Sequence, residues 1–202
     1  MGSFWDERYA KAEYVYGTAP NDFLAEIAPT ISGPSGRRAL CLADGEGRNG
    51  VFLAKLGFEV TSVDLSVVGL HKAQELAKKE NQKLHTVHAD LADYNLGLRT
   101  YDLIVSIFAH FPAELRKEIH KQIAPALRPG GHLILEGYTP DNIGRGVGGP
   151  PTVETAYSAK ILKEDFSDLA ILKIEEKERT IQEGSIHQGL SAVIQCLAQK
   201  FE

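Results

Sequence analysis

Residues 38 to 66 read RALCLADGEGRNGVFLAKLGFEVTSVDLS, and the order of their chemistry decides the fold. An apolar run, Ala39 to Ala43, breaks into a turn built on Gly45 and Gly47. A helix-like segment follows, then a second apolar run from Phe58 to Val63, closed by Asp64. Strand, glycine turn, helix, strand and acid together make a nucleotide-binding α/β unit. The glycines let the backbone approach a ligand where a Cβ would collide. The acid at the end of the second strand can accept both hydroxyls of a ribose, and it stands 17 residues after Gly47, close to the spacing of about 20 for such an acid. A dinucleotide turn would read G-x-G-x-x-G, with a third glycine where helix meets strand. Here the turn is A-D-G-E-G-R-N.

Outward from this unit the α/β alternation continues. Residues 66 to 80 place Leu70, Ala73 and Ala77 on one helical face, with Ser66 as the N-cap. A third strand, Lys83 to His88, ends at Ala89-Asp90. The run Tyr101 to Phe108 is apolar nearly throughout, as a central strand covered on both faces must be. A helix over 112–127 carries Leu115, Ile119, Ile123 and Leu127 at four-residue spacing, with Pro112 in its first turn. Arg128-Pro129-Gly130-Gly131 stops it before a fifth strand, His132 to Gly137. The last third is different. A glycine- and proline-rich loop, Thr139 to Tyr157, leads to a short helix from Ala159 to Phe166. Two strand-like segments follow, Ala170 to Ile181 and Leu190 to Ala198. Their connection is too short for a parallel crossover, so they form an antiparallel hairpin. That ending departs from the dinucleotide fold.

At 202 residues the chain suits one α/β domain, and 43% hydrophobic residues suffice for a full core. A formal charge of −5 argues against a nucleic-acid partner, which favours basic faces. No apolar stretch approaches the roughly 20 residues of a membrane span, and the N-terminus has no apolar signal core. A cytoplasmic protein, monomeric or homodimeric and without a metal site, is expected. Cys41 and Cys196 lie in apolar runs and read as reduced buried thiols.

The glycine turn resembles motif I of class I S-adenosylmethionine-dependent methyltransferases, usually written (D/E)-x-G-x-G-x-G. Cys41 stands where the acid belongs, and Ala43 replaces the first glycine. Asp64 matches the acid of motif II, Ala89-Asp90-Leu91 matches motif III, and Tyr101-Asp102-Leu103-Ile104 matches motif IV. Leu127-Arg128-Pro129-Gly130-Gly131 matches the turn that follows, and FWDERYAKAEYVYGTAPNDFL resembles the leading segment of the tellurite-resistance and thiopurine methyltransferase-like group. The resemblance covers nearly the whole chain. It implies a Rossmann-like, seven-stranded, mostly parallel sheet of order 3-2-1-4-5-7-6, with helices on both faces and an antiparallel C-terminal hairpin. Residues 1–36 would cover the cofactor, 37–138 would form its binding core, and 139–202 the loop, short helix and hairpin.

The implied cofactor is S-adenosyl-L-methionine. Ala43, Gly45 and Gly47 would pass under its ribose and methionine parts, and Asp64 would take the ribose hydroxyls. Leu65 would pack on the adenine, Asp90 would meet the adenine amino group, and Leu91 the ring edge. Arg48 and Asn49 would reach the methionyl moiety, Trp5 and Arg8 would lie over the cofactor, and Ile107 would sit near the sulfonium. The family acid at position 41 commonly orients the cofactor amine, and its loss here is a departure. Methyl transfer to a small molecule, of thiol or chalcogen type, would proceed by direct displacement. His110, just past the fourth strand, is the candidate catalytic base. Its bland alternative is to pack or cap the next helix. His187, Tyr138 and Tyr157 are further candidates for the rim. A non-catalytic cofactor-binding regulatory protein and an NAD-dependent oxidoreductase are the competing readings.

Overall fold

The computed structural model describes residues 2–31, 37–150 and 152–201. Strands β1 (Arg38–Leu42), β2 (Glu59–Asp64), β3 (His85–His88), β4 (Tyr101–Ile107), β5 (Leu127–Tyr138), β6 (Ala170–Glu183) and β7 (His187–Gln199) form one sheet. Its order is β3-β2-β1-β4-β5-β7-β6. The first five strands are parallel, and β7 runs antiparallel to both β5 and β6. The expected order and the closing hairpin are both present.

Helices α1 (Gly2–Tyr9) and α2 (Asp22–Ile27) precede the sheet, and α3 (Arg48–Lys55) and α4 (Val67–Lys79) connect its first strands. Helices α5 (Ala113–Ala126) and α6 (Ala159–Asp165) come later. Two cores result, one on each face. Leu40, Ile104, Leu133 and Ile194 point toward Ile119 and Ile123 of α5 and Leu162 of α6. Ala39, Cys41, Leu103 and Val105 point toward Phe23 and Leu24 of α2 and Leu53 of α3. The alternation follows from the pleat, since successive strand residues face opposite sides. Central strands flanked by helices on both faces must therefore be apolar throughout. Full burial of each Leu, Ile, Val or Phe among these side chains is worth about 1.5–3 kcal/mol.

Ser66 caps α4, its hydroxyl accepting from the Gly69 N–H at 3.0 Å. Two boundaries differ from the sequence reading. Arg128 to Gly131 lies inside β5 rather than before it, because Lys200 and the Gly130–Gly131 stretch exchange main-chain hydrogen bonds. The hairpin strands reach Glu183 and His187, leaving a turn of Gly184, Ser185 and Ile186. Ser185 N–H donates to Val15 O at 2.9 Å, so the N-terminal segment fastens this turn from outside the hairpin. Tyr138 and Tyr157, expected as rim residues, are fully buried. Among the described residues no helix is long and apolar enough to cross a membrane.

Candidate cofactor and acceptor site

The glycine turn leaves β1 through Ala43, whose φ of 50° lies in the left-handed region. Asp44 N–H then bonds Val63 O at 3.3 Å, extending the β1–β2 ladder by one rung. Gly45 (φ 56°) and Gly47 (φ 83°) also require left-handed backbone. Space restricts them too: a Cβ on Gly45 would lie 2.5 Å from the Tyr9 hydroxyl, and one on Gly47 would strike Ala73 of α4. The turn is thus shaped by the chain packed against it as well as by any ligand.

Asp64 ends β2 with its carboxylate clamped between two backbone amides. Oδ2 accepts from Gly45 N–H and Oδ1 from Ser66 N–H, each at 2.8 Å. Burial raises its pKa above the ordinary carboxylate value, and those amides oppose the shift. Each oxygen keeps a lone pair for one further donor, which is what two vicinal hydroxyls need. Leu65 is half-buried beside it. Asp90 is exposed after β3, its Oδ1 accepting from Ala92 N–H at 2.9 Å, while Leu91 is buried in the α5-side core. Ile107 is buried at the end of β4.

The N-terminal segment lies across this turn. Asp6 accepts from the Ser66 hydroxyl at 2.6 Å, binding α1 to the start of α4. Trp5 stacks on Tyr9, centroids 5.8 Å apart. The Arg8 guanidinium sits 5.5 Å from the Trp5 ring centre and donates to the Tyr16 hydroxyl at 3.1 Å. The buried Lys72 ammonium donates to the carbonyls of Tyr9 (3.3 Å), Lys11 (3.0 Å) and Glu13 (2.7 Å), and pairs with Glu46. One cation from α4 thereby holds the end of α1 and the irregular stretch that follows it.

Arg48 and Asn49 belong to a buried polar network. Arg48 pairs with Glu183 of β6 at 2.5 Å and donates to Ala19 O at 3.3 Å. Asn49 Oδ1 accepts from Asn21 N–H at 3.0 Å. The Asn21 amide donates to both Glu136 and Glu183 at 3.1 Å. Arg179 pairs with the same two carboxylates, and Gln195 donates to Glu136 at 2.5 Å. Two guanidinium groups face these two buried carboxylates, and Arg179 also reaches the exposed Asp22 at 3.0 Å. It joins α2, α3, β5, β6 and β7 under the site.

The histidine assignment needs correcting. The Tyr138 N–H donates to His110 Nε2 at 3.1 Å, so Nδ1 carries the proton and donates to Thr155 O at 2.8 Å. Burial holds its pKa down to about 4. Both ring nitrogens are engaged by main chain, which leaves none to take a substrate proton. In this arrangement His110 supports the loop, against its expected role as a base. The histidine ranked lower in the sequence, His187, is placed differently. It is buried, with Tyr16, Phe108 and Tyr138 rings at 4.6, 5.3 and 5.6 Å, and its Nδ1 has no protein partner. Burial first, then the charges of Arg48, Arg8 and Arg179, lower its pKa to about 3. No local motif marks it. Only the meeting of hairpin turn, N-terminal segment and β4 end creates its surroundings.

Phe108 itself has φ 52°, a strained value for a bulky side chain. Its N–H bonds Glu136 O at 2.7 Å, and its ring stacks on Tyr138 at 4.6 Å. The rings form one unbroken sequence across the carboxyl ends of the strands. It runs from Phe4 through Trp5, Tyr9, Tyr16, His187, Tyr138, His110, Tyr157 and His120 to Phe166.

The residues fit an adenosyl cofactor with an amino-acid tail. Asp64 supplies the paired acceptors for a ribose. Among the described residues, Asp44 Oδ1, Ser106 Oγ, Tyr138 Oη, His187 Nδ1 and Gln195 Oε1 are buried without a protein partner, all toward this end of the sheet. A mostly parallel sheet of this order, with a glycine turn and a β2 acid, defines the class I methyltransferase fold.

Comparison with known proteins agrees. Residues 39–131 match the family model described as a methyltransferase domain. A glycine/sarcosine N-methyltransferase of Aphanothece halophytica is 33% identical over 112 residues, covering 53% of this chain and 42% of that one. A protein of Haemophilus influenzae (strain 10810) named "Probable S-adenosyl-L-methionine-dependent methyltransferase TehB" is 30% identical over 142 residues, covering 69% and 48%. The chain spans less than half the length of these relatives. The crystal structure of TehB from Haemophilus influenzae superposes with a TM-score of 0.73 at 23% identity, covering 98% of this chain and 66% of that one. The chain carries a class I S-adenosylmethionine-dependent methyltransferase domain, similar to TehB.

Proposed function

We propose that the protein transfers a methyl group from S-adenosylmethionine to a small-molecule acceptor. The observation that carries this reading is the Asp64 carboxylate, clamped by two amides where the glycine turn of the matched methyltransferase region meets β2. Asp64 would hold the ribose hydroxyls. Leu65, Asp90 and Leu91 would flank the adenine, and Ala43, Gly45 and Gly47 would lie beneath the sugar and the methionyl chain. Trp5, Arg8 and the rest of the N-terminal segment would close over them, with Ile107 near the reacting end. Arg48 and Asn49 would support the methionyl side through the polar network rather than by free side chains.

The cofactor, when bound, supplies an already activated methyl group. The protein then aligns the acceptor and keeps water out. Phe108, His187 and Tyr16 would supply the walls, with the buried Tyr138 ring behind them, and the unpartnered Nδ1 of His187 could bond the acceptor. Tyr16 and its neighbours exclude solvent from above. Aromatic rings gathered around one imidazole would suit a soft acceptor such as a thiolate or a reduced chalcogen, which reacts without a strong base.

Isothermal titration with S-adenosylmethionine, S-adenosylhomocysteine and NAD tests the cofactor. One site per chain for the first two and none for NAD is expected. Absence of saturable binding at millimolar S-adenosylhomocysteine would remove the reading. Turnover of a panel of small thiols and selenols, set against amines, then tests the acceptor class. Methylation of amines alone would overturn it.

A further inference from the structure

Strand β1 ends without the acid its family pattern calls for, and Cys41 there is a buried thiol. Yet a buried carboxylate lies beside it. Asp44, three residues on, turns its side chain back under the glycine turn. Its Oδ2 accepts from the Ser62 hydroxyl at 2.6 Å and from the Gly50 N–H at 3.3 Å. Ser62 is the partner of Cys41 across the β1–β2 ladder, and parallel strand partners point to the same face. Asp44 is close enough for its charge to act on the Cys41 thiol. Gly50 makes the room: a Cβ there would lie 2.5 Å from both Asp44 Oδ2 and Ser62 Oγ.

The second oxygen, Oδ1, is buried without a partner. Burial pushes this carboxyl up to about 7, and Arg48, the cation nearest in effect, offsets little of that. A carboxylate in this state lacks a counter-charge.

Resting on the S-adenosylmethionine reading above, we propose that Asp44 replaces the missing strand-end acid and receives the α-ammonium group of the cofactor's methionyl tail. An ammonium donating to Oδ1 would satisfy the one free acceptor on this carboxylate and neutralise its charge. A competing role is purely local, since Asp44 also accepts an N–H in the first turn of α3, as a helix cap does.

Titration calorimetry with two ligands separates the roles: S-adenosylhomocysteine, and 5′-methylthioadenosine, which has the same nucleoside sulfide but no amino-acid tail. Asp44→Asn keeps the size and one acceptor oxygen. It should weaken S-adenosylhomocysteine binding about 10- to 100-fold, leave methylthioadenosine within about twofold (no partner of that ligand is lost), and leave the melting temperature of the free protein undiminished. The double variant Cys41→Asp/Asp44→Asn should restore much of the loss. Equal weakening of both ligands would make Asp44 structural, and unchanged affinity for both would place the ammonium elsewhere. Selective loss without rescue would overturn the equivalence to position 41. If Asp44→Asn does not fold, Asp44→Ser is read by the same two-ligand ratio. A wild-type protein that binds neither ligand overturns the cofactor reading itself.

Discussion

Ala43 shows how one methyl group can be at odds with its backbone. Its φ of 50° is routine for glycine and costs other residues on the order of 1 kcal/mol. Ala43→Gly should therefore stabilise the protein by about 0.5–1 kcal/mol despite the more flexible unfolded chain, raising the melting temperature by about 1–4 °C. A lower melting temperature would mean that the methyl group's packing outweighs the strain. Asp64 is the opposite case, a residue retained for binding at some cost to folding. Asp64→Ala should weaken S-adenosylhomocysteine by about 1.5–3 kcal/mol, as loss of charge-assisted hydrogen bonds implies. Folding should survive, because the side chain bonds the backbone of two turns and is not part of the apolar core. Calorimetry on the folded variant decides it. Both residues were legible in the sequence, since the turn and the acid are local in the chain. His187 was legible only as a weaker candidate than His110, because its neighbours come from residues 16, 108 and 138, and no spacing rule connects those positions.

At the scale of elements, periodicity found every strand and the helices from α3 onward, and hairpin length alone gave the antiparallel ending. What it missed were the polar ties between elements. Nothing in the sequence singles out Glu136, Arg179, Glu183 or Asn21, yet they meet under the site through contacts more than 40 residues apart in sequence. Lys72 is the clearest example. It sits on the lysine-rich side of an amphipathic helix, where a solvated side chain is expected, and instead holds three carbonyls of the N-terminal segment. Lys72→Met keeps the stem and removes the donors. Trypsin should then cut after Lys11 about tenfold faster or more, as expected when local opening becomes easier by 1.4 kcal/mol. S-adenosylhomocysteine should slow cutting in the wild-type protein if the segment closes over the cofactor. An unchanged cleavage rate in the variant would show that Asp6 and Tyr9 hold the segment without it.

For the whole molecule, pH acts through buried groups of opposite sign. His187 has a folded pKa of about 3 against an ordinary 6.5. The unfolded chain takes up the proton first, so its contribution is intact above about pH 6.5 and is lost as pH falls toward 3. At pH 5 the loss is about 2 kcal/mol. Asp44, raised to about 7, runs the other way: its contribution is full below the ordinary 3.8 and is lost as pH rises through 7. Urea denaturation across pH 4 to 8 should show His187→Asn losing less stability on acidification than the wild type, by about that amount at pH 5. Parallel curves for the two proteins would mean that water or a neighbour already accommodates the charged ring.

The unbroken line of rings has an optical consequence. Trp5 is the chain's single tryptophan, and it stands near one end of that line, in contact with Tyr9. Light absorbed by the tyrosines along the line can pass to the indole by resonance transfer, which fades steeply with distance. Trp5 emission excited through tyrosine therefore measures how closely the N-terminal segment, the hairpin turn and the β4 end are held together. The protein contains its own ruler, placed across the space where acceptor and cofactor would meet, and it can be read in wild-type material with no dye attached.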